Sequence, residues 1–281
     1  MNILVTGCAG YLGSRLIAAL ECRGHQVFGV DLFATDRALD ETVDLAVEGA
    51  AADLMKGIEV VVHTAAIHPW KQYTDGEYLD NNVKPVHYVL QSAAQAGVRR
   101  VVYTSSIAAI GYHPALAALP LKETEPACPG ELYGTTKWFG EVFCQVVSRN
   151  TGLETVCLRP PAFMPKPEID RGLGLLGLWA DVSDVVSAHV AAVAAPMPSS
   201  HEAFWATNPL PYTAADAAEL RSDPAAVVER YWPGVPDWFA HRGKAVQPIS
   251  VFWDLSNSRD ILGWEPSYSF DLWWKEHAHE L

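Results

Sequence analysis

Segments typical of strands alternate with segments typical of helices through the first 160 residues, which predicts an α/β protein with a doubly wound parallel sheet. The strand-like segments are short apolar runs rich in β-branched residues, as expected of strands covered by helices on both faces. This alternation stops where prolines become frequent, at 160–167. We therefore expect a first domain over 1–160 and a smaller C-terminal lobe over 161–281.

In chain order, strands are predicted at 3–6, 26–31, 59–63, 99–105 and 154–159, and helices at 11–23, 80–96 and 133–149. Two of these helices end at a glycine, Gly24 or Gly97, which favours a helix C-terminus. Beyond the prolines, 182–195 has a helical pattern, 203–207 a strand-like one, and 214–231 is mostly helical. We expect 182–208 to return to the first domain.

Composition and charge exclude several classes of partner. The net charge of −13 argues against nucleic acid or an anionic membrane. The five cysteines are an odd number without a CxxC motif, which predicts free thiols in a reducing cytoplasm. A strand pattern beginning at Asn2 leaves no room for a signal peptide, and no apolar run is long enough to cross a membrane. No histidine, cysteine and carboxylate cluster has metal-ligand spacing, so no metal is predicted.

A glycine-rich turn directly follows the first predicted strand and opens the first predicted helix. Gly7, Gly10 and Gly13 remove the side chains that would obstruct a tight turn there. They also let a pyrophosphate approach the free amides and positive dipole end of the helix. In this strand-turn-helix position the pattern predicts a Rossmann-type dinucleotide site.

Asp31 closes the second predicted strand, 18 residues after Gly13. A carboxylate there accepts hydrogen bonds from the ribose hydroxyls and repels a 2′-phosphate, which favours NAD over NADP. The alternative is an ordinary turn aspartate. Arg37 is the nearby cation that would favour NADP, and we give it less weight. Asp44-Leu45 is the preferred candidate to meet the adenine, with Asp53-Leu54 as its rival.

Tyr133 and Lys137 stand four residues apart, so in a helix they share one face. A free tyrosine, with a pKa of about 10, is a poor base at neutral pH. A cation about 4 Å from the phenol would lower this pKa to about 7 and make the tyrosine a general base toward an alcohol. The same spacing is also typical of an ordinary surface pair, so its meaning depends on the neighbouring motifs.

Six motifs occur in one order along the chain. They are Gly10 with Gly13, His63-Thr64-Ala65-Ala66, Asn81-Asn82-Val83, Thr104-Ser105-Ser106, Tyr133 with Lys137, and Leu158-Arg159-Pro160. Together they closely resemble the extended short-chain dehydrogenase/reductase family, the NAD-dependent epimerase/dehydratase group. The segments 254–256 and 262–266 extend this resemblance toward the C-terminus. Residues 163–167 and Trp179 are partly similar to the uronate and aldose dehydrogenase branch.

The resemblance implies a role for each matching residue. Tyr133 is implied as the acid/base, and Lys137 as the residue that holds the nicotinamide ribose and lowers the tyrosine pKa. Ser106 is implied as the group that binds the substrate oxygen. An asparagine of this region supports the lysine through water, and Asn81 fits that position better than Asn82.

The predicted NAD site combines the glycine turn, the acidic strand ends, the small residues after the third predicted strand and the catalytic pair. Its residues are Gly7, Ala9, Gly10, Tyr11, Leu12, Gly13, Asp31, Leu32, Asp44, Leu45, Thr64, Ala65, Ala66, Tyr133, Lys137, Pro160 and Ala162.

Candidate substrate residues come from the loops near the nicotinamide and from the second lobe. The alternative for each of them is an ordinary surface residue. They are His68, Ile107, His113, Phe163, Arg171 and Trp179. A uronate requires hydrogen-bond donors and a cation for its carboxylate, which His113 or Arg171 could supply.

The leading hypothesis is an NAD-dependent oxidoreductase acting on a secondary alcohol or hemiacetal of a sugar-like small molecule. The alternative is a sugar or nucleotide-sugar epimerase that retains NAD. A dehydratase is disfavoured because Ile107 and Ala108, rather than acids, follow Ser106. A non-catalytic cofactor-sensing protein is a third hypothesis, and the intact catalytic residues weigh against it. The resemblance also implies a homodimer formed through the helices at 80–96 and 133–149.

Overall fold

The computed structural model describes residues 1–112 and 118–279, and its centre is a seven-stranded parallel sheet. The strands have the spatial order β3-β2-β1-β4-β5-β6-β7 and every neighbouring pair is parallel. Because the order reverses at β1, a crevice forms at the carboxyl ends of β1 and β4. The predicted doubly wound α/β fold is confirmed. The strands are β1 (Asn2–Thr6), β2 (Gln26–Asp31), β3 (Asp40–Thr42), β4 (Val60–His63), β5 (Arg100–Thr104), β6 (Glu154–Arg159) and β7 (His201–Trp205).

Twelve α-helical segments are present among the described residues. They are α1 (Tyr11–Glu21), α2 (Asp75–Tyr78), α3 (Lys84–Ala96), α4 (Ile107–Ile110), α5 (Leu132–Thr151), α6 (Glu168–Leu175), α7 (Val182–Ala194), α8 (Glu219–Ser222), α9 (Pro224–Tyr231), α10 (Val235–Ala240), α11 (Ser256–Asp260) and α12 (Phe270–His277).

Helices cover both faces of the sheet. On one face α1 and α7 pack against β1 and β4 through side chains such as Leu16, Val62 and Ala188, all fully buried. On the other face α3 and α5 bury Val89, Val101 and their neighbours. Side chains therefore leave both faces of the central strands into an apolar core, which explains why these strands read as continuous apolar runs.

The helix predicted at 80–96 begins earlier and is not regular. A helical turn starts at Asp75, capped by Thr74, and passes through a π-helical segment, Leu79–Val83, into α3. Pro85 cannot donate a backbone hydrogen bond to the preceding turn, so the regular bonding pattern is interrupted just before it. This segment turns Asn82 into the protein interior, where the residue is 2% exposed.

Two predictions in the C-terminal part need correction. The strand expected at 203–207 is β7, which begins two residues earlier, at His201, and ends at Trp205. The single helix expected over 214–231 is a 3₁₀ turn followed by α8 and α9. Asp223 caps α9 and Pro224 is its first residue, so the chain starts a new helix there.

A third apolar core lies in the C-terminal lobe and is rich in aromatic side chains. Trp205, Trp238 and Trp273 are its largest fully or nearly fully buried members. The rings of Phe239 and Trp273 stack at 5.8 Å between centroids. The C-terminal tryptophans are therefore mostly core residues. Among the described residues, no helix combines the length and apolar character needed to cross a bilayer.

Candidate active site

A cavity of about 590 Å³ opens at the carboxyl edge of the sheet. The loops that follow β1, β2, β3, β4, β5 and β6 all contribute to its wall. Every residue of the predicted NAD site except Lys137 lines this cavity. The structure thus brings together a set of side chains that is spread over more than 150 positions in the sequence.

The glycine turn forms one end of the cavity. Gly7 has a φ of +73°, and a side chain at Gly13 would put its Cβ only 2.1 Å from the carbonyl oxygen of Gly7. α1 starts at Tyr11 with no side-chain cap at Gly10 and no acidic residue in its first turn. The amides of that turn are therefore available to an anion, as a dinucleotide pyrophosphate requires. The residues of the glycine turn therefore fit the pyrophosphate of NAD.

Asp31 joins the glycine turn to the end of β2. Its Oδ2 accepts a hydrogen bond from the amide of Ala9 at 3.0 Å, and its Oδ1 accepts one from the amide of Phe33 at 3.2 Å. The carboxylate is thereby fixed beside the turn where a ribose would lie. Arg37 is held by Glu21 and Asp40, and so is directed away from this position.

The adenine side of the cavity carries Asp44 and Leu45, the preferred sequence candidates. The rival Asp53 lies on an exposed 3₁₀ turn and pairs with Lys56 at 2.8 Å. Phe33 and Val43 also line the cavity and were not predicted. The sequence could have indicated both residues, because each is the direct neighbour of a predicted contact at the end of a strand.

Tyr133 lies in the first turn of α5 and faces the cavity, 6% exposed. Ser106, which caps α4 just after β5, lines the same cavity and interacts with the Tyr133 hydroxyl so as to lower its pKa. Ser106 Oγ also accepts a hydrogen bond from the amide of Ala108 at 3.1 Å, which fixes its orientation. A substrate oxygen placed between these two hydroxyls would contact both the acid/base candidate and the oxygen-binding candidate.

That Lys137 lowers the pKa of Tyr133 stays a prediction, and burial of the phenol acts in the opposite direction. Burial raises the pKa of Tyr133, and the hydrogen bond with Ser106 offsets only part of that effect. Lys137 Nζ donates to the carbonyl oxygen of Thr104 at 2.9 Å and lies 5.8 Å from the centroid of the tyrosine ring. Burial lowers the pKa of Lys137 itself to about 7, so its positive charge is only partial at neutral pH.

The two neighbouring asparagines have different surroundings. Asn81 lines the cavity, and its side chain donates to the carbonyl oxygen of Glu77 at 2.9 Å. Asn82 bonds both to the amide and to the carbonyl oxygen of Ile67, and donates to Thr136 Oγ1 at 3.2 Å. Asn82 thus ties the loop after β4 to α5.

Of the predicted substrate residues, His68 and Phe163 line the cavity. The His68 ring lies 5.3 Å from the ring of Tyr133, and burial together with the charge of Lys137 lowers the pKa of His68 to about 4. The others are placed differently. Ile107 packs against the aromatic core of the C-terminal lobe, and His113 lies outside the described residues.

Arg171 and Trp179 are not among the cavity-lining residues. Arg171 pairs with Glu168 at 2.8 Å and with Asp181 at 3.2 Å. Trp179 is 3% exposed, and its indole nitrogen donates to the carbonyl oxygen of Met164 at 2.9 Å. This hydrogen bond holds the loop that follows β6. The sequence did not predict Pro69 or Met164 as contacts, and both line the cavity beside His68 and Phe163.

A buried ion pair lies behind the cavity. Arg159, at the end of β6, forms two hydrogen bonds with the Glu141 carboxylate, at 2.9 and 2.7 Å. Glu141 also accepts a hydrogen bond from Ser105, the neighbour of Ser106. The pair therefore links the carboxyl ends of β5 and β6 to α5. No motif in the sequence identified this group.

Comparison with known proteins assigns the chain to a family. Residues 3–165 match the model of the NAD dependent epimerase/dehydratase family. The chain belongs to this family. Membership in the NAD dependent epimerase/dehydratase family confirms the resemblance stated from the motifs and the expected cofactor, NAD.

Individual proteins are also similar to this chain. The uronate dehydrogenase of Agrobacterium fabrum is 30% identical over 219 residues, which are 74% of this chain and 80% of the relative. The sterol demethylase protein B of Methylococcus capsulatus is 36% identical over 176 residues, 58% of this chain and 52% of the relative. The chain thus spans about half the length of the latter protein.

Solved structures show the same architecture. The crystal structure of uronate dehydrogenase from Agrobacterium tumefaciens superposes with a TM-score of 0.72 at 25% identity, covering 99% of this chain and 88% of that one. The Rossmann-type fold expected from the glycine turn is therefore found in a solved member of the same group of enzymes.

Proposed function

We propose that this protein is an NAD-dependent oxidoreductase that transfers hydride between NAD and a secondary alcohol or hemiacetal of a sugar-like substrate. The observation that carries the proposal is that Tyr133 and Ser106 line the same cavity as the glycine turn. The similarity to uronate dehydrogenases supports the sugar-like substrate.

The residues of the chain have distinct proposed tasks. The first turn of α1 binds the pyrophosphate, Asp31 binds the adenosine ribose, and Lys137 binds the nicotinamide ribose. When bound, NAD supplies the carbon that accepts or returns hydride. Ser106 orients the reacting substrate oxygen, and Tyr133 takes up or gives the proton at that oxygen.

Protonated Tyr133 is the form that this structure favours at neutral pH, because burial raises its pKa. In that form the phenol is ready to donate a proton to a carbonyl oxygen. In the opposite direction, oxidation of an alcohol requires the phenol to lose its proton first.

The fate of the cofactor separates this proposal from the alternative, an epimerase that retains NAD. Proteins similar to this chain include both kinds of enzyme, uronate dehydrogenases and UDP-glucose 4-epimerases. For a dehydrogenase we expect NAD to exchange freely and NADH to accumulate, measured by its absorbance, when a panel of uronates and aldoses is added. Tightly retained NAD and no net absorbance change with a converted substrate would instead identify an epimerase.

We expect Asp31→Ala to weaken NAD binding and to raise the relative use of NADP by at least about tenfold, because the carboxylate that repels a 2′-phosphate is gone. The ratio of kcat/KM for the two cofactors measures this. Asp31→Asn is the matched control, because it keeps an oxygen acceptor for the Ala9 amide but removes the charge. Unchanged selectivity in both variants would show that another residue distinguishes the two cofactors.

We also propose a cytoplasmic homodimer formed through α3 and α5. The five cysteines are free, which supports a reducing compartment. Phe139, on α5, is 40% exposed, and Leu79, beside α3, is 42% exposed; both are apolar side chains that an interface would cover. Light scattering after size-exclusion chromatography tests the assembly, and the mass of a single chain would contradict it.

A further inference from the structure

The cavity wall around Tyr133 and Ser106 is mostly apolar. It is built by the loop after β4 and the loop after β6. These two strands lie on either side of β5 in the sheet. These loops contribute His68, Pro69, Trp70, Pro161, Phe163 and Met164 to the wall. Trp70 and Met164 are 61% and 37% exposed, so they stand at the cavity mouth, where substrate would enter.

The charges of this cavity are negative and lie away from that wall. Among the described lining residues, the ionisable acids are Asp31 and Asp44, both on the adenosine side, and there is no lysine or arginine. His68 is neutral at pH 7, because burial lowers its pKa to about 4.

Two of the cations near this region have partners. Arg171, the sequence candidate for binding a carboxylate, is paired with Glu168 and Asp181. Lys137 donates to the carbonyl oxygen of Thr104 and is 2% exposed. Lys71 and Lys166, in the loops after β4 and β6, are exposed, and neither lines the cavity. A carboxylate or diphosphate beside the apolar wall would lose its hydration without gaining an opposite charge, which is strongly unfavourable.

We propose that the substrate is a ring without a charged substituent that packs an apolar face against Trp70, Phe163 and Met164. This inference rests on the proposed hydride transfer and deepens it. It selects a neutral ring, with methyl or hydroxymethyl substituents, over a uronate or a nucleotide sugar. The hydrogen bonds come from Ser106, Tyr133 and His68, while the ring itself contacts the apolar wall.

Three sugars that differ at a single carbon test the proposal. 6-Deoxy-D-galactose, D-galactose and D-galacturonate carry a methyl, a hydroxymethyl and a carboxylate group at that carbon. Dissociation constants are measured by calorimetry on the NAD-loaded Tyr133→Phe protein, in which turnover should be slowed by at least about a hundredfold. We expect the methyl sugar to bind at least about tenfold more tightly than the carboxylate sugar, with D-galactose between them. Equal or tighter binding of D-galacturonate, or binding of none of the three, overturns the proposal.

Turnover by the wild-type protein is scored separately, by NADH formation. If the binding order holds without NADH formation from any sugar, the proposed reaction fails and the neutral binding site stands. If NADH forms most efficiently from D-galacturonate, the proposed reaction stands and the neutral site fails.

A positive charge added to the wall provides a second test. Met164→Arg should raise kcat/KM for D-galacturonate relative to D-galactose by about tenfold, because it supplies the missing partner for a carboxylate. Leu272→Arg is the matched control, since Leu272 is 40% exposed on α12 and does not line the cavity. An unchanged ratio in Met164→Arg, or an equal rise in the control, contradicts the proposal.

Discussion

Replacement of Tyr133 by phenylalanine should lower kcat/KM by about a hundred- to ten-thousandfold, the usual contribution of a positioned acid or base. The phenylalanine ring keeps the contact with His68 and the buried position in α5, and only the hydroxyl is lost. The glycine turn and Asp31 are untouched, so NAD should bind with nearly unchanged affinity, measured by calorimetry.

Tyr88→Phe is the control for this change, because Tyr88 lies on α3 and does not line the cavity. It removes a hydroxyl of the same kind and should leave the rate unchanged. Turnover by Tyr133→Phe at the wild-type rate would show that another group moves the proton.

The pH dependence should differ between the two directions of the reaction. Burial raises the pKa of Tyr133, so the phenol is protonated throughout the neutral range. Alcohol oxidation needs the deprotonated form and should accelerate as pH rises from 6 to 9, whereas carbonyl reduction uses the protonated form and should stay level. Initial rates in both directions across this range measure the effect, and an oxidation rate that is level from pH 6 to 9 contradicts it.

The sequence could predict what depends on local patterns. β1, β4 and β6 were found within a residue of their expected bounds, because each is a short apolar run between turn signals. The sequence predicted that the glycine turn and Asp31 belong to one site, because only one helix and one strand separate them along the chain. β3 lacks such a pattern, since its residues Asp40–Thr42 are polar and the strand is defined by its pairing with β2.

Distant contacts were beyond the sequence for a physical reason. The spacing of Tyr133 and Lys137 correctly placed both on one helix, but not the direction of the lysine amine. That direction is decided by the carbonyl oxygen of Thr104, 33 residues earlier in the chain. Arg171 likewise reads as a free cation in the sequence, and its pairing with Asp181 appears only when α6 and α7 pack.

The pair of Arg159 and Glu141 is a further example, and it has the largest expected effect on stability. The two side chains are 5% and 3% exposed. Arg159 also donates to the carbonyl oxygen of Glu123 at 2.9 Å and lies 5.0 Å above the ring of Trp205. The attraction to Glu141 outweighs the effect of burial and raises the pKa of Arg159, so the guanidinium stays charged inside the protein.

Arg159→Met should lower the free energy of unfolding by about 3–5 kcal/mol, because it leaves the buried Glu141 carboxylate without its partner. Urea unfolding measures the loss. Arg259→Met is the matched control: it breaks a pair with Glu265 of similar length, 2.8 Å, whose side chains are 48% and 67% exposed. An exposed pair contributes at most about 1 kcal/mol, so the control should be close to wild type.

A second substitution separates the loss of the partner from the loss of packing. In the double variant Arg159→Met/Glu141→Leu no charge remains buried, so we expect it to recover part of the stability lost in Arg159→Met. Recovery stays incomplete because Ser105 loses its acceptor on Glu141. If Arg159→Met unfolds at the same urea concentration as Arg259→Met, the buried pair does not hold the ends of β5 and β6 to α5. The position of Ser106 would then depend on the backbone of β5 alone.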